Sequence, residues 1–87
     1  MLTVTEAAGE KLASLLANAQ APKGVAIRAV PEENGITLRL DKTQPDDETF
    51  EHEGKTVLVA GEEASKQLAG KTFDVVTTAQ GSELTLR

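Results

Sequence analysis

The densest group of chemistry-bearing side chains in this 87-residue sequence is Asp46-Asp47-Glu48 followed by Glu51-His52-Glu53, and it contains the sole histidine. Five of these residues, Asp46, Asp47, Glu51, His52 and Glu53, offer the hard donors that suit a divalent cation. They lack the alternating ligand spacing of a calcium loop. Within a strand Glu51 and Glu53 would point to one face and His52 to the other, so the three do not converge on one ion. A charged strand edge that discourages sheet-to-sheet aggregation explains them better. His52 is also the only imidazole able to act as a base for Ser14, Ser65 or Ser82. None of these serines sits in a nucleophile-elbow sequence and nothing marks an oxyanion hole, so His52 reads as a surface histidine. No catalytic residue, no cofactor-binding residue and no metal ligand is assigned, and the expectation is a protein that is not an enzyme and has no cofactor.

The remaining candidates are weaker. Arg28 and Arg39 fall on neighbouring strand segments and could flank an anion, although exposed positions on a polar face account for them equally well. Glu62-Glu63 complements the positive end of a helix. The seven glycines are spread one per turn or helix and make no phosphate cradle. The composition holds no cysteine, which removes disulfides, thiolate zinc sites, thiolate iron–sulfur ligation and cysteine nucleophiles together. With 14 acidic and 9 basic residues the net charge is −5, which repels phosphate backbones and anionic lipid, so neither nucleic acid nor a membrane is an expected partner. No signal sequence is visible and no apolar run approaches the ~18 residues of a membrane span. The expected location is the cytoplasm, and residues 1–87 read as a single domain.

The elements that must position these residues follow from hydrophobic spacing. Met1 to Val4 is strand-like, and Thr5 is an N-cap for a helix from Glu6 to about Ala19, in which Ala8, Leu12, Leu15, Leu16 and Ala19 recur at helical spacing. Ala21-Pro22-Lys23-Gly24 ends it. Period-two alternation over Val25–Val30 and Ile36–Asp41 predicts a hairpin about Pro31–Gly35, with Asn34-Gly35 making the reversal. Lys42–Asp47 is a polar loop. Thr49–His52 and Lys55–Ala60 form a second strand pair around Glu53-Gly54. Glu62–Ala69 is a short helix anchored by Leu68 and closed by Gly70, and Thr72–Thr78 and Glu83–Leu86 are the last strands.

Taken in order, these segments resemble the A-type iron–sulfur carrier proteins, the HesB-like (IscA-like) domain family, over almost the whole chain. The likeness is carried by Leu2-Thr3-Val4-Thr5-Glu6-Ala7-Ala8 running into Leu12, Leu15, Leu16, Ala17 and Asn18. It continues through the block from Pro45 to Val59, Leu68, Gly70 and Phe73-Asp74-Val75. The resemblance implies a β-rich α+β fold of short, mainly antiparallel and mixed sheets with two helices. It also implies three cluster-binding cysteines, the first in the loop after the second strand and two in a Cys-Gly-Cys tail. This sequence has Pro31-Glu32-Glu33-Asn34-Gly35 in that loop and ends at Arg87, so no family site residue carries over. Glu32 and Glu33 are hard donors that would hold cluster iron poorly. The expectation is a cysteine-free, degenerate member that binds a protein or small partner, linked to iron–sulfur assembly by family association. The alternative is a carboxylate-based iron or divalent-metal binder.

The expected core is Val4, Leu12, Leu15, Leu16, Val25, Ile27, Ile36, Leu38, Leu40, Phe50, Val57, Val59, Leu68, Phe73, Val75, Leu84 and Leu86. A buried Leu15 would make Leu15→Ala cost about 2 to 5 kcal/mol.

Overall fold

The first helix starts where the spacing changes, at Thr5. In the computed structural model, which describes residues 2–33 and 35–87, Thr5 is extended (φ −69°, ψ 161°) and its Oγ1 accepts from the Ala8 N–H at 3.2 Å. That hydroxyl satisfies one of the donors the first helical turn leaves open. The strand before it, β1 (Thr3–Val4), leads into α1 (Glu6–Asn18), which buries Ala8, Gly9, Leu12 and Leu16. The helix ends in a Schellman motif: the Gln20 N–H donates to the Ala17 carbonyl and the Ala21 N–H to the Leu16 carbonyl, both at 3.1 Å. Gln20 takes the left-handed φ of 54° that this motif requires, and Pro22 follows at a position where proline cannot extend the helix.

Strands β2 (Val25–Glu32) and β3 (Gly35–Lys42) pair antiparallel with Glu32 opposite Gly35. Both strands are longer than their alternation indicated, and β2 runs through Pro31, beyond its Ile27–Ala29 pairing with β5, where a missing N–H costs no bond to that neighbour. Asn34, on which the expected Asn-Gly reversal rests, lies outside the described residues. β4 (Glu48–His52) and β5 (Lys55–Ala60) close on Glu53 and Gly54, at φ 52° and 78°. Two successive positive φ values are those of a type I′ turn, whose twist matches that of the strands. α2 (Glu62–Leu68) and the hairpin β6 (Thr72–Thr78) and β7 (Gly81–Leu86) complete the order.

One sheet has the order β3-β2-β5-β4, with β2 and β5 parallel and the outer pairs antiparallel; the other has the order β1-β6-β7 with β1 parallel to β6. α1 packs against strands of both sheets, and α2 packs on β2 and β5. The result is the expected β-rich α+β architecture with two helices and mixed sheets.

The core differs from expectation at several residues. Leu15 is 39% exposed and Leu40 46% exposed, so neither belongs to it. The buried seam of α1 runs Ala8, Leu12, Leu16, and Leu15 lies about 100° round the helix from Leu16. Leu40 stands on β3, an outer strand, while the helices pack on inner strands and β4. Conversely, Leu58 is fully buried along with Val57, Val59 and Ala60. β5 lies inside its sheet and is covered on both faces, so its alternation does not separate core from solvent. Val4, Ile36, Leu38, Phe50, Val75, Leu84 and Leu86 are half-buried at the margin of the cluster, whereas Val25, half-buried at the start of β2, is not part of it.

Candidate functional site

An arginine stands in the middle of an otherwise apolar strand, Val25-Ala26-Ile27-Arg28-Ala29-Val30, and the fold gives it partners. Register places Ile27 and Ala29 on the face shared with Leu58 and Ala60, and Arg28 on the opposite face with Val59. There the Arg28 guanidinium makes a bidentate pair with Asp47, Nη1 to Oδ1 at 2.9 Å and Nη2 to Oδ2 at 2.7 Å. Its Nε donates to Asp41 Oδ2 at 2.9 Å and its Nη2 also donates to the Lys42 carbonyl at 2.9 Å. The Gln44 N–H donates to Asp47 Oδ2 at 2.7 Å. This network fastens the 43–47 loop and the end of β3 over β2. The side chains of Arg28 and Asp47 are only 12% and 4% exposed, so the fork is largely withdrawn from water.

The electrostatics follow from that geometry. The hydrogen bond to Asp47 raises Arg28 above the usual arginine range against the opposing effect of burial. Asp47 is held below the usual aspartate range chiefly by the Arg28 hydrogen bond, and Asp41 first by the Lys42 N–H and then by Arg28. A similar tie lies at the start of α1. Asp74 of β6 accepts from Thr5 Oγ1 at 2.9 Å and from the Val75 N–H at 2.8 Å, and pairs with Arg87. Its carboxyl is lowered, first by the Val75 N–H.

These contacts redistribute the sequence candidates. Arg28 directs its Nε, Nη1 and Nη2 donors at Asp41, Asp47 and the Lys42 carbonyl, so its charge is matched within the fold. Asp47 leaves the acidic block to serve Arg28, while Asp46, Glu51 and Glu53 stay exposed. Among the described residues no three acidic or histidine side chains gather as a metal site would require. His52 is half-buried rather than on the surface, because Gly9 of α1 passes close by; a Cβ at Gly9 would lie 2.9 Å from His52 Nδ1. Of the serines, Ser65 Oγ donates to Glu48 Oε1 at 3.2 Å, while Ser14 and Ser82 line one shallow depression between α1 and the β6-β7 hairpin. Glu62 and Glu63 are exposed at the start of α2, as helix-dipole complements should be. The Arg28 network was missed in the sequence; its signal was a charged residue between Ile27 and Ala29, with aspartates in the strand and loop that follow.

The loop between β2 and β3 is the other place of interest. Glu32 and Glu33 are exposed there, and an open depression of about 330 Å³ beside it is lined by Arg28, Pro31, Arg39, Gly61 and Glu62 among others. It contains no nucleophile.

Neither a protein-family model nor a curated protein matches the sequence. Solved structures do match in fold. The chain is similar to Escherichia coli SufA, a protein involved in biosynthesis of iron–sulfur clusters, with a TM-score of 0.77 and 25% identity over 99% of this chain and 83% of that one. It is also similar to IscA with a [2Fe-2S] cluster, at TM-score 0.64 and 22% identity over 100% of this chain and 84% of that one. A protein from Aquifex aeolicus, solved by solution NMR, aligns with TM-score 0.63 and 22% identity over 99% and 89% of the two chains. The two helices and seven strands of the described residues thus form the fold of SufA and IscA.

Proposed function

We propose that this chain is a HesB-like scaffold without cluster-ligand cysteines, which binds a protein partner in the setting of iron–sulfur cluster assembly and performs no catalysis of its own. The observation that carries this reading is the SufA-like fold across 99% of the chain combined with a sequence that contains no cysteine. At the β2–β3 loop, where the resemblance calls for the first thiolate, the side chains are those of Pro31, Glu32 and Glu33. Carboxylates are hard donors, so they favour hard cations over sulfide-bridged iron. The charge of −5 favours a protein partner with a basic surface over nucleic acid or anionic lipid. No described helix is long and apolar enough to cross a membrane, and we assign the protein to the cytoplasm.

Two experiments test the reading. Anaerobic incubation of the purified protein with ferrous iron and sulfide is expected to leave it colourless after desalting; a stable visible chromophore with stoichiometric iron would overturn the loss of cluster binding. Affinity capture from its native cell extract, read by mass spectrometry, is expected to enrich iron–sulfur assembly proteins over an unrelated acidic bait. Equal recovery with both baits overturns the assembly setting.

A further inference from the structure

A further concavity lies at the end of the four-stranded sheet where the parallel strands β2 and β5 begin. It is a groove of about 760 Å³, within the range of small-molecule sites. Leu16, Ala17, Ala21 and Val25 supply apolar lining, and Lys23 and Lys55 stand where the chain enters β2 and β5. Thr43, Thr56 and Gln20 add neutral polar groups, and no aspartate or glutamate lines it. In a chain with 14 acidic and 9 basic residues, this lining is locally cationic against an acidic whole. Gly24 and Gly54 sit at φ 87° and 78° with nothing within 4 Å of where a Cβ would be, so the two turns leave the mouth open. α1 ends here, and the carbonyls of Leu15, Leu16 and Ala17 accept from Ala19, Ala21 and Gln20. The Schellman bonds thus satisfy part of the negative end of the helix.

We infer that this groove binds a small amphiphilic anion, with a carboxylate or phosphate head between Lys23 and Lys55 and an aliphatic tail along Leu16, Ala17, Ala21 and Val25. The head gains two cationic partners that have no acidic neighbour in the lining to compete for them, and the tail covers apolar surface left open by the fold. This site is independent of the scaffold function proposed above; a groove that binds nothing would leave that reading intact.

The test is a titration of the isotopically labelled protein with octanoate, octyl phosphate and octanol, followed by backbone amide shifts. Saturable shifts confined to residues 16–25, 43 and 54–56 are expected with the two anions, and at least tenfold weaker binding with octanol. The two anions together decide which head is preferred. The double variant Lys23→Glu, Lys55→Glu should weaken anion binding at least tenfold at an unchanged melting temperature, with Lys23→Gln, Lys55→Gln as the milder pair if the reversal does not fold. Absence of saturable shifts, binding of octanol equal to that of the anions, or affinity unaltered in a folded double variant would each overturn the inference.

Discussion

At the scale of single residues, two contacts set the behaviour of the fold more than the exposed charges do. Gly9 allows α1 to lie against β4, since an added Cβ would meet His52 Nδ1 at 2.9 Å and His52 Cβ and Cγ at 3.3 Å. Swinging the ring away cannot relieve the contact at Cβ. Gly9→Ala should therefore destabilise by roughly 1 to 3 kcal/mol, although alanine is the better helix former by about 1 kcal/mol. In a His52→Gly background, which removes the ring and its Cβ together, the same change should be near neutral or stabilising, a coupling of about 1 to 3 kcal/mol in chemical denaturation. Additive effects would show that helix and strand do not meet at this pair. The Arg28–Asp47 fork makes the second prediction. Because the folded carboxyl of Asp47 lies below the ordinary 3.8, its contribution is present above that value and drains away as pH falls through the folded value. Asp47→Asn should cost roughly 1.5 to 3 kcal/mol near neutrality. The gap between the melting temperatures of wild type and variant should narrow progressively as the pH falls below about 5, and a gap independent of pH would contradict the assignment.

At the scale of elements, the reversals carry strain that natural side chains tolerate. Gln20 and Glu53 hold φ of 54° and 52°, a region that costs a residue with a Cβ about 1 kcal/mol or more. Gln20→Gly at the end of α1 and Glu53→Gly in the β4–β5 turn should each raise stability by roughly 0.5 to 1 kcal/mol, net of the added chain entropy. Neither side chain is buried, so no packing is lost. Lower melting temperatures for both variants would place these residues outside the left-handed region. The elements between the turns were largely readable. Thr5 as a cap, Glu53-Gly54 as a tight turn and Gly70 as a left-handed terminus, at φ 80°, all follow from local chemistry that acts within a few residues.

At the scale of the whole molecule, α1 is the shared wall of two sheets. Leu12 is fully buried in its seam, and α1 packs on β6 as well as on β2, β4 and β5. Leu12→Ala should cost about 2 to 5 kcal/mol, whereas Leu15→Ala, at a position 39% exposed, should cost less than about 1 kcal/mol. The chain has no tryptophan or tyrosine, and its two phenylalanines, Phe50 and Phe73, lie one in each sheet. With fluorinated phenylalanine, both native signals should vanish at one urea concentration, and Leu12→Ala should shift both by the same amount. Loss of one signal before the other would show that the sheets unfold separately.

What the sequence determined by itself was whatever is encoded over short distances: the order of nine elements, their caps and turns, the acidic balance, and the absence of any thiolate. Those features depend on local spacing and composition, and no distant residue can cancel them. Tertiary structure decided the rest. It buried both faces of β5, left Leu15 and Leu40 outside the core, and took Asp47 from an apparent metal block to partner Arg28. It also brought Lys23 and Lys55 to one groove from positions 32 residues apart in the chain. Each of these outcomes depends on which strand lies beside which, and alternation within a single strand carries no record of its neighbours.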